Sequence, residues 1–180
     1  MTAKEGQMNQ ALNIKKLGAN GALPLRLGFN GAYFDFDVIG GPFDVYKPGV
    51  NGDVGICVRE ERAPKTADFI LPVRDFSVPK DPRLVNHVLE RAIDALLDGK
   101  RVYVGCMGGW GRTGLFLAVL AKAAGYEDPV AYVREKYTAR AVETDEQQEY
   151  VSKFDVSAIR SYLFWAAWKK RWLNTLFWWR

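Results

Sequence analysis

Two residue types are scarce in this 180-residue chain, and each scarcity excludes a class of protein. Two cysteines, Cys57 and Cys106, are too few for a disulfide framework and are typical of a reducing compartment. The single histidine, His87, excludes a site built from several histidines and, with so few cysteines, leaves no His/Cys cluster to bind a metal. His87 falls off the apolar stripe of a predicted helix, so we expect it on the surface.

Two kinds of segment are also missing. The first thirty residues lack the basic-then-apolar pattern of a secretory signal. No uncharged apolar run reaches the length that spans a bilayer. These absences predict a cytoplasmic protein.

The hydrophobic content of 48% over 180 residues predicts one globular domain with a sizeable core and at most an appendage. Residues 1–12 are polar and are expected to be loose. Apolar runs predict strands at 32–38, 54–58, 69–73 and 101–106, and helical spacing predicts helices at 83–97, 113–124 and 128–137. The alternation favours an α/β fold, in which a small, mostly parallel central sheet is flanked by helices. We place a domain at 1–153 and a C-terminal aromatic, basic helical extension at 154–180.

The segment from Cys106 to Gly114 carries the chemistry. It lies between the predicted central strand and a predicted helix, an arrangement that binds phosphate because unpaired backbone N–H groups and the helix dipole converge on an anion. Such a loop must curl tightly, which suits the glycines at 108, 109 and 111. Arg112 can give two parallel hydrogen bonds to a phosphate, and Thr113 can offer its hydroxyl to the sulfur. A cysteine facing these groups is expected to be a thiolate nucleophile.

This stretch resembles the C-x5-R-[S/T] signature of the cysteine-dependent protein tyrosine phosphatase superfamily, in its compact, dual-specificity-like form. The resemblance implies that Cys106 attacks phosphorus and that Arg112 and the loop hold the phosphate. The residues expected to line the substrate are Met107, Gly108, Gly109, Trp110 and Gly111. The family usually has a histidine before the cysteine, where this chain has Gly105, and that histidine orients the loop around the sulfur.

The resemblance extends to an acid segment upstream of Cys106. The stretch from Pro72 to Pro79 is similar to the family's mobile loop, and Asp75 takes the place of the general acid that protonates the leaving group. Asp81 is the competing carboxylic acid. Since it directly precedes Pro82, Asp81 is a better candidate for the N-cap of the next helix.

A second segment, downstream, resembles the one that positions the hydrolytic water. Gln147 matches the family's glutamine, and Glu143 stands where classical tyrosine phosphatases carry another glutamine. The spacing of Thr144 and Gln147 is also that of a capping box, which satisfies helix-start donors without a catalytic role. Both interpretations of Gln147 remain open.

Together these residues predict a phosphatase that needs neither metal nor cofactor and works through a phosphocysteine intermediate. Its expected substrate is phosphotyrosine in a protein, or another aryl phosphate, with phosphoserine and phosphothreonine as further candidates. The alternative is a catalytically silent module that binds phosphate or phosphoprotein and acts through its tail. Gly105 is the feature that favours this alternative. Cys57 could also trap oxidised Cys106 as a disulfide, although a simply buried cysteine is the competing interpretation.

The tail is rich in aromatic and basic residues. Five of the six tryptophans fall within residues 165–180, and residues 154–180 carry a net charge of +4, which is the net charge of the whole chain. On a helix, Trp165, Trp168, Trp172 and Trp179 line one face, and Ile159, Leu163, Ala166, Leu173 and Phe177 line the other. The open roles for 159–180 are contact with a second copy, with a membrane surface or with a partner protein. Nucleic-acid binding is disfavoured because the basic residues are few and local.

Overall fold

The structure, a computed structural model, describes residues 15–29 and 32–177. Within these ranges, five strands form one sheet in the order β1-β2-β5-β3-β4. The strands are β1 (Gly21–Phe29), β2 (Ala32–Pro42), β3 (Val54–Cys57), β4 (Phe69–Ile70) and β5 (Val102–Cys106). The predictions for residues 1–12 and for Trp178 and Trp179 lie outside the described residues, as do the side chains of Arg171 and of residues 173–177.

The sheet is mostly parallel, as predicted. β5 lies at its centre, parallel to β2 on one side and to β3 on the other, and β3 is parallel to β4. Only β1 is antiparallel, because it forms a hairpin with β2. This hairpin is longer than the short strands and turns predicted there, and the predicted strand at 69–73 pairs only over Phe69–Ile70. Leu71 and Val73 are nevertheless buried, and their backbones still form bonds at and beyond the end of β3: the Leu71 N–H donates to the Cys57 carbonyl at 2.9 Å, and the Glu60 N–H donates to the Val73 carbonyl at 3.1 Å.

Five α-helices flank this sheet in the described residues: α1 (Pro82–Leu97), α2 (Gly111–Ala124), α3 (Pro129–Lys136), α4 (Asp145–Lys153) and α5 (Ser157–Phe177). Their starts follow the capping signals in the sequence. The Asp81 carboxylate accepts from the Arg83 N–H at 2.9 Å, the Asp128 carboxylate from the Ala131 N–H at 2.9 Å, and the Thr144 hydroxyl from the Gln147 N–H at 3.2 Å. α2 ends at Gly125, whose φ of 98° is a left-handed helix cap.

The core lies where α1 and α2 pack on the sheet. α1 contributes Val85, Val88, Leu89, Ala92, Ile93 and Leu96, all buried, whereas His87 is exposed as predicted. Residues of α2 are buried on almost every side, because α2 is covered by the sheet, α3, α4 and α5. This burial fixes the start of α2, and therefore the end of the phosphate loop, relative to β5.

Candidate active site

The predicted phosphate loop occupies the turn between β5 and α2. Cys106 is the last residue of β5, Gly111 is the first of α2, and all of β5 is buried. The backbone N–H of Gly109 donates to the Cys106 Sγ at 3.2 Å, and the Cys106 N–H donates to the Thr113 hydroxyl at 2.9 Å. The first N–H groups of α2 have no partner within the helix, so they are available at the same place. One loop amide therefore binds the sulfur, and the free N–H groups that begin α2 lie at the end of the same loop.

Two glycines of this loop make close approaches to their surroundings. Gly109 has a φ of +74°, and a Cβ there would lie 2.2 Å from the carbonyl carbon of Gly41. A Cβ on Gly111 would lie 2.0 Å from a carboxylate oxygen of Glu143. The Glu143 side chain is exposed and can move aside, whereas Gly109 is pressed against the backbone at the end of β2, with no space for a larger residue.

The same packing explains why Gly105 stands where a histidine is usual. A Cβ on Gly105 would lie 2.7 Å from the carbonyl oxygen of Gly41 and 2.8 Å from the backbone nitrogen of Phe43. These are backbone atoms of the neighbouring strand β2 and the turn after it, and they cannot move aside cheaply. A histidine therefore has no space at this position, and other residues must orient the loop.

Asn20 and Tyr137 orient the loop, and sequence reasoning missed both. The Asn20 amide donates to the carbonyl oxygens of Gly108 and Gly109 at 2.9 and 3.0 Å, and the Tyr137 hydroxyl donates to the Gly109 carbonyl as well. Burial raises the pKa of Tyr137, which keeps its hydroxyl protonated as a donor. These bonds fix the orientation of both carbonyl groups. Both residues are far from the loop in sequence, so no local pattern marks them.

Arg112 is buried, with 3% of its side chain exposed, and is held by three groups. Its Nη1 contacts both carboxylate oxygens of Glu61 at 2.8 Å and the carbonyl oxygen of Val73 at 3.1 Å. Its Nη2 lies 3.1 Å from the Asp75 carboxylate. The structure therefore brings Asp75 to Arg112, at the end of the loop that begins at Cys106, and it adds Glu61, which the sequence did not single out.

Glu61 is ionised in this setting. Partial burial works against the charged form, but hydrogen bonds from the Glu61 backbone N–H and from Arg112 outweigh it and lower the pKa of Glu61 below its ordinary value. The Glu61 carboxylate therefore stays paired with Arg112 through mildly acidic conditions. Glu61 fixes the Nη1 side of the guanidinium. The Nη2 side, which lies beside the exposed Asp75, is left for another anion.

The acid segment is more exposed than the loop. The Asp75 side chain is 60% exposed, and Phe76, with a φ of 56°, is 61% exposed. Gln147 is fully buried, and its amide links two elements: the Glu143 N–H donates to its oxygen at 2.9 Å, and its nitrogen donates to the Ser77 carbonyl at 3.2 Å. Gln147 thus joins the start of α4 to the acid segment, while Asp81 caps α1.

The rim of the loop is formed by two exposed or half-buried side chains, Met107 and Trp110. Met107 is 49% exposed, and its sulfur lies 3.7 Å from the buried guanidinium of Arg59, which is itself paired with Asp44 at 2.7 Å. The guanidinium of Arg140 lies 3.6 Å from the ring centroid of Trp110 and covers one face of it. Trp110 therefore has one ring face committed to Arg140.

Cys57 lies beside this site on the neighbouring strand β3. Its backbone pairs in register with Gly105, and its side chain is buried with Phe43, Tyr46 and Tyr103. Burial raises the pKa of the Cys57 thiol. Both cysteines are free thiols in the structure, and the disulfide remains a prediction. Residues 15–29 and 32–177 contain no group of three or more potential metal-ligating side chains.

Comparison with known proteins places this geometry in a family. The model of the DSP-PTPase phosphatase domain of Swiss Army Knife proteins, PTP-SAK, matches residues 60–161, more than half of the chain. The chain belongs to this family. The PTP-SAK match contains Glu61, Asp75, Cys106, Arg112 and Gln147. The predicted kinship with compact, dual-specificity-like cysteine phosphatases is confirmed.

Two relatives come from Methanocaldococcus jannaschii. The uncharacterised protein MJECL20 is 37% identical over 100 residues, which are 54% of this chain and 66% of the relative. The uncharacterised protein MJ0215 is 40% identical over 86 residues, which are 47% of this chain and 52% of the relative. The PTP-SAK chain therefore matches only part of the length of each of these two proteins.

Two solved structures are also similar. Tk-PTP in its active form has a TM-score of 0.49 and 23% identity, over 56% of this chain and 77% of that one. A kinase associated phosphatase, with its catalytic-site cysteine substituted by serine, has a TM-score of 0.49 and 16% identity, over 79% of this chain and 90% of that one.

Proposed function

We propose that this chain is a metal-independent phosphatase that hydrolyses phosphotyrosine in proteins, with other aryl phosphates, phosphoserine and phosphothreonine as further substrates. One observation carries the proposal: the Cys106 sulfur accepts a hydrogen bond from the Gly109 N–H inside a loop that ends at the buried Arg112. A sulfur that binds a backbone amide, in a loop that ends at a buried guanidinium, is a nucleophile aimed at an anion, and this arrangement can supply the charge stabilisation that other phosphatases obtain from metals.

In the first step the Cys106 thiolate attacks phosphorus, so an S–P bond forms while the bond from phosphorus to the leaving oxygen breaks. The loop amides and Arg112 hold the equatorial oxygens. Phosphate competes with Asp75 for Nη2 of Arg112, while Glu61 keeps Nη1. Once displaced, Asp75 in its protonated form gives its proton to the leaving oxygen.

In the second step water cleaves the S–P bond, and the ionised Asp75 takes a proton from that water. The sulfur leaves as a thiolate. The Thr113 hydroxyl, which already accepts from the Cys106 N–H, can donate its own hydrogen to that thiolate. Gln147 contributes to this step by positioning the acid segment, because its bond to the Ser77 carbonyl ties that segment to α4. To reach the water directly, the Gln147 amide must first leave Ser77.

The preferred substrate is inferred from the side chains at the rim of the phosphate loop. Met107 and Trp110 form an apolar rim on the loop, and the exposed Phe76 follows Asp75 in the acid segment. Such a rim suits an aromatic leaving group better than an aliphatic one. The loop carries no lysine, which argues against substrates with several phosphates.

The test is hydrolysis of p-nitrophenyl phosphate with a reductant and a metal chelator present. We expect Cys106→Ser to have no measurable turnover and Asp75→Asn to lose roughly a hundred-fold in kcat. Cys57→Ala, which changes the other buried thiol, is the matched control and should keep its activity. Acid quenching of a phosphotyrosine peptide reaction should trap phosphate on Cys106.

A folded wild-type protein that binds vanadate but turns over none of these substrates would establish the alternative, a phosphate-binding module. Turnover of phosphoserine peptides at a rate equal to phosphotyrosine would contradict the aromatic preference while leaving the thiolate mechanism intact.

A further inference from the structure

The two sides of α5 have different environments. One side packs on the domain: Ile159 is fully buried and Ala167 is 3% exposed. Hydrogen bonds hold the same side, since the Tyr162 hydroxyl donates to Asp94 at 2.6 Å and Lys170 lies 2.7 Å from Asp98. α5 is therefore fixed along α1, and its orientation around its own axis is set.

The other side of α5 carries an aromatic stripe, formed by Trp165, Trp168 and Trp172. These side chains are 62%, 43% and 56% exposed. Their rings form a continuous row, with centroids 5.9 Å apart between Trp165 and Trp168 and 6.1 Å apart between Trp168 and Trp172. Spacings of three and four residues place all three on one helix face.

A basic residue accompanies this stripe. Lys169 is exposed and follows Trp165 by one helical turn, so it lies on the same side of α5. Residues 154–180 contain five basic residues and one acidic residue, whereas residues 1–153 have no net charge. The excess positive charge of the whole chain is therefore concentrated on the segment that presents the exposed tryptophans.

We propose that the aromatic stripe docks on an anionic lipid surface, with the tryptophan rings at headgroup level and Lys169 among the lipid phosphates. Tryptophan favours this interface because its ring is apolar while its indole N–H stays hydrated. The positive charge complements anionic lipids, which attract basic residues next to an aromatic face. The proposal concerns the tail alone and is independent of the proposed phosphatase activity.

A second copy of this chain fits the stripe less well. A two-fold contact places each stripe against itself, which brings Lys169 of one copy towards the same positive region of the other. The stripe is also built of tryptophan, whereas helix pairs usually interlock through aliphatic residues. Among the described residues, no helix combines the length and the hydrophobicity to cross a bilayer, so docking means lying on the surface.

The test is flotation of the full chain with vesicles of phosphatidylcholine alone or of phosphatidylcholine mixed with phosphatidylserine. We expect the wild type to float with the mixed vesicles, to be released by high salt and to float poorly with phosphatidylcholine. Trp165→Ser combined with Trp168→Ser should lower the partition coefficient roughly tenfold or more. Lys169→Ala should lower it about fivefold, and only on the mixed vesicles.

Tyr33→Ser is the matched control, because Tyr33 is an exposed aromatic residue (67%) on β2 that is not part of the stripe, and its loss should leave flotation unchanged. Circular dichroism establishes that each variant is folded. A folded wild type that floats with neither vesicle would overturn the proposal. So would a dimer in solution that the double tryptophan variant dissociates, since the stripe would then be a contact between copies.

Discussion

The phosphate loop and the acid segment contact each other through Arg112, yet they are held in different ways. The loop is bound by Asn20, Thr113 and Tyr137 and is pressed on the backbone of β2. The acid segment exposes Asp75 and Phe76 and is tied to the rest mainly by Gln147, by Thr144 and by the ion pair with Arg112. The phosphate loop is therefore a site assembled before the substrate binds, whereas the acid segment carries a group that has to move during a reaction.

This contrast has a chemical reason. Donors that stabilise a transition state are most effective when they need no rearrangement, so the loop gains from being rigid. A general acid has to admit the substrate and then approach it, so the acid segment gains from having few bonds. Four substitutions test the contrast, from the largest expected effect to the smallest.

Gly109→Ala should cause the largest loss, because the new Cβ meets the Gly41 backbone and a left-handed φ is also strained. We expect loss of activity together with several kcal/mol of stability, measured by urea unfolding. Gly99→Ala is the matched control, since Gly99 has the same φ of +74° with nothing within 4 Å of a Cβ. It should cost only about 1–2 kcal/mol. Equal losses in the two variants would mean that the contact with Gly41 contributes nothing.

Asp75→Asn should separate binding from turnover. Removing the carboxylate takes away both the acid and the competitor for Arg112, so kcat should fall while inhibition by phosphate or vanadate becomes several-fold tighter. Inhibition constants and kcat measured together check both parts. Asp81→Ala is the control, because Asp81 caps α1, and it should lose about 1 kcal/mol of stability with kcat unchanged. Weaker vanadate inhibition of Asp75→Asn would contradict the competition.

Tyr137→Phe removes one donor from the Gly109 carbonyl, which keeps its bond to Asn20. We expect a loss of about 1 kcal/mol and a decrease in kcat of about tenfold. Tyr132→Phe removes a comparable bond, to the Pro24 carbonyl at 2.6 Å, away from the site. Tyr132→Phe should lose about as much stability as Tyr137→Phe and leave kcat unaltered. A similar kcat for both variants would show that the loop does not depend on Tyr137.

Gln147→Met should have the smallest effect. It keeps the volume of a buried side chain but removes the bonds to Glu143 and Ser77, so the acid segment becomes looser while the loop is unchanged. We expect a several-fold decrease in kcat with phosphate inhibition unaffected. Gln148→Met, one residue along α4, provides the comparison. A hundred-fold decrease in kcat would instead indicate that Gln147 contacts the reacting water.

The sequence predicts well what depends on neighbouring residues. Helix starts at Asp81, Asp128 and Thr144 follow from cap chemistry, and the β5–loop–α2 unit follows from an apolar run, glycines and a helical run. The sequence does not mark Glu61, Asn20 or Tyr137 as partners of the loop, because only the assembled sheet and helices bring them there. The short length of β4 was missed for a related reason: Leu71 and Val73 are buried and bond to Cys57 and Glu60 without continuing the regular ladder, which the apolar pattern does not distinguish from a strand.

The closed position at Gly105 has a consequence for how the molecule can be assayed. Since position 105 has no space for a side chain that could orient the loop, other residues do so: Asn20 before β1, Thr113 in α2 and Tyr137 after α3. A partly folded chain thus contains the whole Cys106–Arg112 segment and still lacks a phosphate site. Activity is then expected only of a fully folded chain. Loss of activity on heating should coincide with the temperature at which the β1–β2 hairpin or α3 first separates from the rest of the domain.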